Sequence, residues 1–555
     1  MSQNSVRTDS LPAPHPERIV RFRAALRAAD FTAGGCLDLL GATAYAALFR
    51  GENVPALRAT RAGGPLETLV RLFLLQQPVT RQQAAVALPL DDCLADGWLQ
   101  AHSGQDSAAT AGVRSTVDVR PYAGPEGQDW WIVADLGCGV GGAVGIGSVP
   151  VEDRAGLVLG VGGASTTLAS ITIRGGISRV ASAAWHQPTP SADAGGRRRA
   201  AETVLDLGTG CGIQALHASS HATRVVATDV NPRALRITRL TFALSGAPEP
   251  DLRQGSLFAP VDVEADQVDQ VDQADHANET FDLIVSNPPF VISPGERFFY
   301  RDSGMAGDEL CRTIVENAPR YLTDGGFCQL LANWQHVDGE DWRQRVSSWV
   351  PRGCDAWIVQ REVQDPAQYA ELWLRDGGDH RGDPAAYAAR YEAWLEELER
   401  LKVKGIGFGW ITLRVSGSDR PVITAEEWPH PVEQPLGPEI RHWFERQDFL
   451  RTHDDAALLA ARFRLADQVV QEQVGLPGAE DPEHVVLRSN RGMRRATKVD
   501  TVGAGFAGAC DGSLPAGRIV DAIAQLLGED PIMLRDRTPA SIRLLVEQGF
   551  LEPAD

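Results

Sequence analysis

Val204-Leu-Asp-Leu-Gly-Thr-Gly-Cys-Gly212 is the stretch on which the fold turns. An apolar strand-like run ends in three glycines at alternate positions. Such a loop holds a nucleotide cofactor only with a strand before it, a helix after it, and an acid at the end of the next strand. Ile213-Gln-Ala-Leu-His-Ala218 supplies the helix, and Val225-Val-Ala-Thr-Asp229 supplies the strand and the acid, 21 residues after Gly208. A near copy, Ala134-Asp-Leu-Gly-Cys-Gly-Val-Gly-Gly142, lacks this context. It continues through further glycines to Pro150, with no second strand ending in acid at that distance. Glycine at this density does not start a helix. Residues 134–142 therefore read as the end of a β-ribbon followed by a loose connection.

Working outward, strands and helices alternate. Strands are expected at 204–207, 224–229, 281–286 and 326–332, and helices at 213–219, 232–245 and 309–322. This spacing predicts an α/β domain with a parallel, doubly wound sheet. Two more strands, 354–361 and 406–415, are separated by a long helical stretch from Pro366 to Lys404. Residues 185–199, 262–279 and 416–437 read as irregular, the second as a low-complexity acidic insertion.

The flanks differ from the centre. Residues 18–50 read as two amphipathic helices broken at Gly34-Gly35, and 65–76 as a helix with Pro65 in its first turn. A short helix follows Thr80, and Asp91–Leu99 ends in Asp96-Gly-Trp-Leu99. Two strand-like runs then appear at 115–122 and 130–135. Three helices and a ribbon is the order of a winged helix. A similar order recurs near the C-terminus, where 517–527 reads as a helix, Pro531 and Pro539 bracket a short one, and 541–551 ends in Gln548-Gly-Phe-Leu551. The expected organisation is a disordered leader at 1–17, an accessory module at 18–150, a central domain at 151–416 and a second module at 417–555.

The chain of 555 residues is long enough for three or four domains. It is 43% hydrophobic and 23% charged, the mix of a globular protein. No apolar run approaches a membrane span and no signal peptide is visible, so a cytoplasmic location is expected. Eight cysteines without a C-x-x-C pair point away from zinc and disulfide frameworks, and no metal is expected. The net charge of −20 argues against an overall grip on a phosphate backbone. Only three lysines occur, with many arginines and alanines, a composition that high-GC bacterial genomes give.

The second landmark is Ser286-Asn-Pro-Pro-Phe290, at the end of an apolar strand, where open α/β sheets bind ligands. Successive prolines fix the backbone and remove two N–H donors. The Asn287 side-chain carbonyl and the Pro288 carbonyl then form a pair of acceptors suited to an –NH2 group. Pro289 stiffens the corner and Phe290 offers a flat apolar face.

Together, Val204–Gly212, Thr228-Asp-Val-Asn-Pro-Arg-Ala-Leu235 and Asn287–Phe290 resemble the class I S-adenosylmethionine-dependent methyltransferases. The likeness is to their small-domain group, which includes release factor glutamine, rRNA guanine-N2 and adenine-N6 enzymes. It covers about 200–335, and the chain as a whole is similar to actinobacterial methyltransferases. The resemblance implies a Rossmann-like sheet here; the winged-helix-like α+β modules read above from the element order would flank it. It implies that S-adenosylmethionine is held by Asp206, Gly208, Thr209, Gly210 and Gly212, by Asp229 with Val230 and Asn231, by Ser256 and Leu257, and by Asn287. Asp229 would take the ribose diol. Ser256 stands where the family usually has an acid, but its hydroxyl can accept a hydrogen bond from the adenine amine. Leu159–Leu168 lies where these enzymes close over the methionine end, although Ser165 also reads as a helix N-cap. Tyr300-Arg-Asp-Ser-Gly304 reads either as a lid on the acceptor or as a surface pair.

The implied reaction is methyl transfer to a planar nitrogen of a macromolecular acceptor. A protein glutamine is the first reading, a translation factor being one candidate, and a base of RNA or DNA is the second. A cofactor-sensing regulator is the third. Arg488, Arg491, Arg494, Arg495 and Lys498 form a local basic stretch that suits a nucleic acid, whereas the overall acidity does not.

Overall fold

The computed structural model describes residues 11–102, 112–138, 156–175, 202–262, 279–294, 305–477 and 483–554. Readings that fall on 1–10, 139–155, 185–199, 263–278 and 300–304 lie outside the described residues; of the leader expected at 1–17, Pro16 and Glu17 already belong to a helix. The rest form two compact units. The first holds the described residues up to Ala169 and from 202 to Trp428, and the second holds Ser170–Arg174 and the residues from Pro429 on.

The first unit is built on a mixed eight-stranded sheet. Its strands in chain order are β1 (Thr203–Leu207), β2 (Arg224–Asp229), β3 (Asp251–Gln254), β4 (Phe281–Ser286), β5 (Leu322–Val337), β6 (Cys354–Gln364), β7 (Val403–Val415) and β8 (Ile423–Glu427). Across the sheet they run β8-β6-β7-β5-β4-β1-β2-β3. All neighbours are parallel except β7, which runs antiparallel to both β5 and β6. The sheet is therefore mixed where the spacing predicts a parallel one, and β8 lies in a stretch that reads as irregular. Strand order reverses between β1 and β4, and ligands of open sheets lie at such a switch point. β1 and β4 are almost wholly buried, as strands with helices on both faces must be.

The helices used below are α1 (Ile213–Ala218), α2 (Pro232–Ser245), α3 (Glu309–Asn317), α4 (Pro366–Asp376) and α5 (Pro384–Arg400). Asn231 caps α2 by accepting from Arg233 N, Pro232 occupies the first turn, and Gly246 closes the helix at φ 73°. The stretch expected as one helical run from Pro366 to Lys404 is two helices, α4 and α5, joined through a 3-10 turn at Asp379–Arg381.

At the N-terminal end the helices are Pro16–Ala28 and Ala33–Phe49. The break falls at Asp30–Thr32 rather than at Gly34-Gly35. Thr32 caps the second helix by accepting from Gly35 N, and a Cβ on Gly35 would lie 2.2 Å from Asp30 O. The ribbon is also reassigned. The strands packed with helices Pro65–Leu69, Arg81–Ala87 and Leu90–Ala95 are Val79–Thr80, Gly112–Ser115 and Leu99–His102, in that spatial order. The expected ribbon is a separate hairpin, Asp118–Ala123 with Asp129–Ala134. It is claimed by α2 instead, because Trp131 N donates to Ser245 Oγ (3.0 Å) and Val133 N to Thr241 Oγ1 (3.1 Å). Arg233 grips Asp135 with both Nε (3.0 Å) and Nη2 (2.5 Å), largely out of water. These ties put the hairpin in the same compact unit as the sheet.

In the second unit Arg462–Leu465, Asp511–Pro515 and Leu551–Ala554 form one small sheet, and Val469–Val474, His484–Ser489 and Ala496–Val499 form another. Pro531–Glu547 is one helix, not two, and Pro539 lies inside it. Burial of Leu534, Thr538, Ile542 and Val546 outweighs the missing N–H donor. The two Gly-aromatic-Leu corners do match locally. Gly97 and Gly549 have φ of 82° and 76°, Trp98 and Phe550 are buried, and Leu99 and Leu551 begin strands.

Candidate active site

The loop after β1 takes its shape from a buried carboxylate. Asp206 is 1% exposed, and its Oδ2 accepts from Thr209 Oγ1 (2.6 Å) and from Ala215 N in α1 (2.9 Å). Asp206 and Thr209 thus turn inward, under the loop. Gly208 N and Thr209 N both donate to Thr228 O in β2 (3.0 and 2.9 Å). Gly208, Gly210 and Gly212 have φ of 78°, 56° and 84°, in the left-handed region that favours glycine. A Cβ on Gly212 would lie 2.7 Å from Thr238 Cγ2, whereas Cβ atoms on Gly208 and Gly210 would meet open space. The first face packs on α2, and the second leaves room for a ligand.

Burial pushes the Asp206 carboxyl up to about 7, partly offset by the Thr209 and Ala215 hydrogen bonds. Its unfolded value is near the ordinary one, about 3.9. The folded chain therefore holds a proton there that the unfolded chain has released, and stability from this group is lost as pH rises toward about 7. Between about pH 5 and 7 the loss is about 1.4 kcal/mol per pH unit at most. Asp206→Asn is expected to melt with a flatter dependence over that range. Parallel melting curves for the variant and the parent would show that Asp206 stays ionised throughout.

Asp229 ends β2 and joins three loops. Its Oδ2 accepts from Gly210 N (2.9 Å), its Oδ1 from Asn231 N (2.8 Å), and its carbonyl from Gly255 N (3.1 Å). Burial raises its carboxyl above the usual range, against the hydrogen bonds from Asn231, Gly210 and Val230. Each carboxylate oxygen keeps a lone pair for a further donor. Val230 beside it is exposed, and Asn231 Nδ2 donates to Gly156 O (3.0 Å). Gln214 Nε2, in α1, donates to Ser165 O (2.8 Å). The segment from Gly156 to Ser165 is therefore bound at both ends beside the glycine loop. Ser165 sits inside the helix Gly163–Ile171 and is not its cap.

Beyond β3, Ser256 is exposed and Leu257 is half-buried at φ 49°, packed with Phe290 against the main core. Phe258 stacks on Tyr321 with centroids 4.5 Å apart. At the end of β4, Ser286 is fully buried and donates to Leu207 O (2.8 Å), joining the two strands that flank the switch point. Asn287 follows directly, half-buried, and its side chain has no partner among the described residues. Pro288 is buried, and Pro289 and Phe290 are half-buried. Gly208–Gly212, Asp229–Asn231, Ser256-Leu257 and Asn287–Phe290 thus lie at the carboxyl ends of β1, β2, β3 and β4, at one edge of the sheet, with Asp206 beneath the first of these loops. Cys211, in the glycine loop, is no nucleophile at neutral pH, because burial pushes its thiol up to about 12. The other glycine-rich copy is spent structurally: Asp135 is held by Arg233 and accepts from Val158 N (2.8 Å).

The sequence reading missed Tyr369, Asn333 and Gln214. Asn333 had a signal, a polar residue just past an apolar run; Tyr369 and Gln214 stand in ordinary helices.

The residues fit S-adenosylmethionine. There is open space over Gly208 and Gly210, a carboxylate with free lone pairs for a diol, and apolar Val230 and Leu257 to either side.

Residues 196–341 match the family model described as methyltransferase small domain. Two further models, each described as a domain of unknown function, match 28–110 and 441–553. The chain is similar to the ribosomal protein uL3 glutamine methyltransferase of Bradyrhizobium diazoefficiens, 32% identical over 25% of this chain and 44% of that protein. It is similar to the release factor glutamine methyltransferase of Geobacter sulfurreducens, 33% identical over 23% of this chain and 44% of that one. It is also similar to the ribosomal RNA small subunit methyltransferase C of Klebsiella pneumoniae, 30% identical over 23% of this chain and 31% of that one. The chain thus spans less than half the length of these relatives.

Proposed function

We propose that the protein is an S-adenosylmethionine-dependent N-methyltransferase whose acceptor is a planar amide nitrogen, most closely a glutamine side chain of a protein. The observation that carries this is the seat of Asn287-Pro-Pro-Phe290 at the end of β4, beside the β1 loop and across the switch point from Asp229. When bound, S-adenosylmethionine supplies the methyl group from its sulfonium. Gly208 and Gly210 let the backbone approach it, Asp229 takes the ribose hydroxyls, and Val230 and Leu257 flank the adenine, with the Ser256 hydroxyl as its polar contact. Asn287 Oδ1 and Pro288 O accept the two amide protons and orient the nitrogen, and Phe290 stacks on the amide plane. Alignment in a dry site is the main contribution to rate. The amide nitrogen gains the methyl group and gives up one of its two protons to solvent, and no histidine is assigned to that step.

The two relatives named as glutamine methyltransferases support this acceptor. The rRNA relative supports a second reading, a nucleic-acid base. We read the order of helix and strand at 65–115 as winged-helix-like, and the helical corner ending at Leu551 likewise. In the first of these, the helix that would enter a groove is Leu90–Ala95, which carries Asp91 and Asp92. Asp92 and Asp96 are engaged by Arg18 and Arg21 of Pro16–Ala28. An acidic, covered helix is unsuited to phosphates, and this favours the protein acceptor.

The test is an extract of cells lacking the protein, incubated with the pure enzyme and tritiated S-adenosylmethionine. Label sensitive to protease and resistant to nuclease is expected. Label lost to nuclease would transfer the assignment to a nucleic acid, and no label would remove the activity.

A further inference from the structure

The turn that carries Asn287 is tied down at two points. At its entry, Ser286 is in register with Leu207 of β1 and Leu330 of β5. At its exit, Ile292, 2% exposed, donates its N–H to the hydroxyl of Tyr369 at 2.9 Å. Of the residues between, Pro288 and Pro289 have no N–H to give, so the turn has few hydrogen bonds of its own to hold its place.

Tyr369 reaches the site from α4 and is fully buried. Its ring lies among Trp373, Trp394 and Phe408, with centroids 6.1, 5.9 and 5.7 Å away. The same hydroxyl oxygen accepts from Asn333 Nδ2 at 3.2 Å. Asn333, 1% exposed, lies on β5 opposite Phe408 of β7. One oxygen therefore collects two buried donors, one from the turn and one from the sheet. Removing it leaves both unpaired where water does not reach.

We infer that Tyr369, backed by Asn333, is a positioning residue for methyl transfer, fixing the exit of the Asn287–Phe290 turn and with it the acceptor nitrogen. This rests on the role given to Asn287 above. Tyr369 acts through the turn and does not touch the acceptor. A displacement of about 1 Å at the reacting centre is enough to cost about a hundredfold in rate.

The experiment compares the full-length protein with Tyr369→Phe, Trp394→Phe and Asn287→Ala, using tritiated S-adenosylmethionine and the same extract. Tyr369→Phe keeps the ring and its packing and deletes only the oxygen. It is expected to lower the rate at saturating S-adenosylmethionine by about tenfold or more. The KM for S-adenosylmethionine and the affinity for S-adenosylhomocysteine should stay within about twofold. Trp394→Phe alters the packing around the ring without touching the hydroxyl, and should keep the parent rate.

A parental rate in Tyr369→Phe, with Asn287→Ala inactive, would overturn the inference and leave the Asn287 reading standing. So would a rate that falls in step with cofactor affinity and melting temperature, or an equal loss in Trp394→Phe, since both mark loss of packing. A parental rate in Asn287→Ala would remove the role of the turn, and Tyr369 with it.

Discussion

Asn287→Ala is expected to slow methyl transfer by about a hundredfold or more, while S-adenosylhomocysteine still binds within about threefold of the parent affinity. The asymmetry follows from where the side chain sits. Asn287 follows directly on a strand end locked by Ser286 Oγ on Leu207 O, and its own side chain has no partner among the described residues. Its loss leaves no buried group behind, and the loop that would hold the cofactor is stabilised elsewhere, by Asp206, Thr228 and Asp229. What disappears is one of two acceptors facing the incoming nitrogen. A lone Pro288 carbonyl fixes one amide proton and leaves the amide free to rotate about it, so the lone pair no longer points along the line of transfer. Single-turnover labelling measures the rate, and calorimetric titration measures the affinity. Unchanged turnover in this variant would place the acceptor away from the diproline corner.

The parts of this site that are legible in the sequence are those whose physics is local. Positive-φ glycines, an acid at a strand end and consecutive prolines constrain their own few residues, and Val204–Gly212, Asp229 and Asn287–Phe290 accordingly meet at one edge of the sheet. What escapes is decided by pairing over long separations. Nothing in Val403–Val415 announces that it runs antiparallel between β5 and β6, because strand direction is set by partners up to 87 residues away, as Phe327 is from Arg414. The hairpin at 118–134 has the alternation of a wing, yet the hydroxyls of Thr241 and Ser245 on α2 attract its N–H groups. Pro539 reads as a helix stop, but packing of the whole segment against its unit overrides the local preference. Tyr369 carries no motif at all. It sits one turn into an ordinary capped helix, and only the fold brings its oxygen to Ile292.

Asp229→Ala should show the reverse pattern, with S-adenosylhomocysteine affinity falling by about a hundredfold or more and turnover at saturating cofactor largely kept. The carboxylate acts on both sides of the pocket. Toward the protein, its two oxygens hold Gly210 N and Asn231 N, so the loops after β1 and β2 keep a fixed spacing. Toward the ligand, the same oxygens offer their remaining lone pairs to the ribose diol, as charge-assisted bonds in a partly dry site. Alanine removes both at once. Asparagine keeps one acceptor and replaces the other with a donor that opposes one of these N–H groups, so Asp229→Asn should fall between the two. The pH dependence is a further mark of the same group. Burial raises this carboxyl, so cofactor affinity should decline as the medium is acidified into its range, and the decline should be absent from the alanine variant. Calorimetry across pH on both proteins reads both effects. Full affinity in Asp229→Ala would mean that the cofactor lies away from the β1–β2 edge. Rate lost with affinity kept at Asn287, and affinity lost with rate kept at Asp229, together separate the acceptor side of the crevice from the donor side.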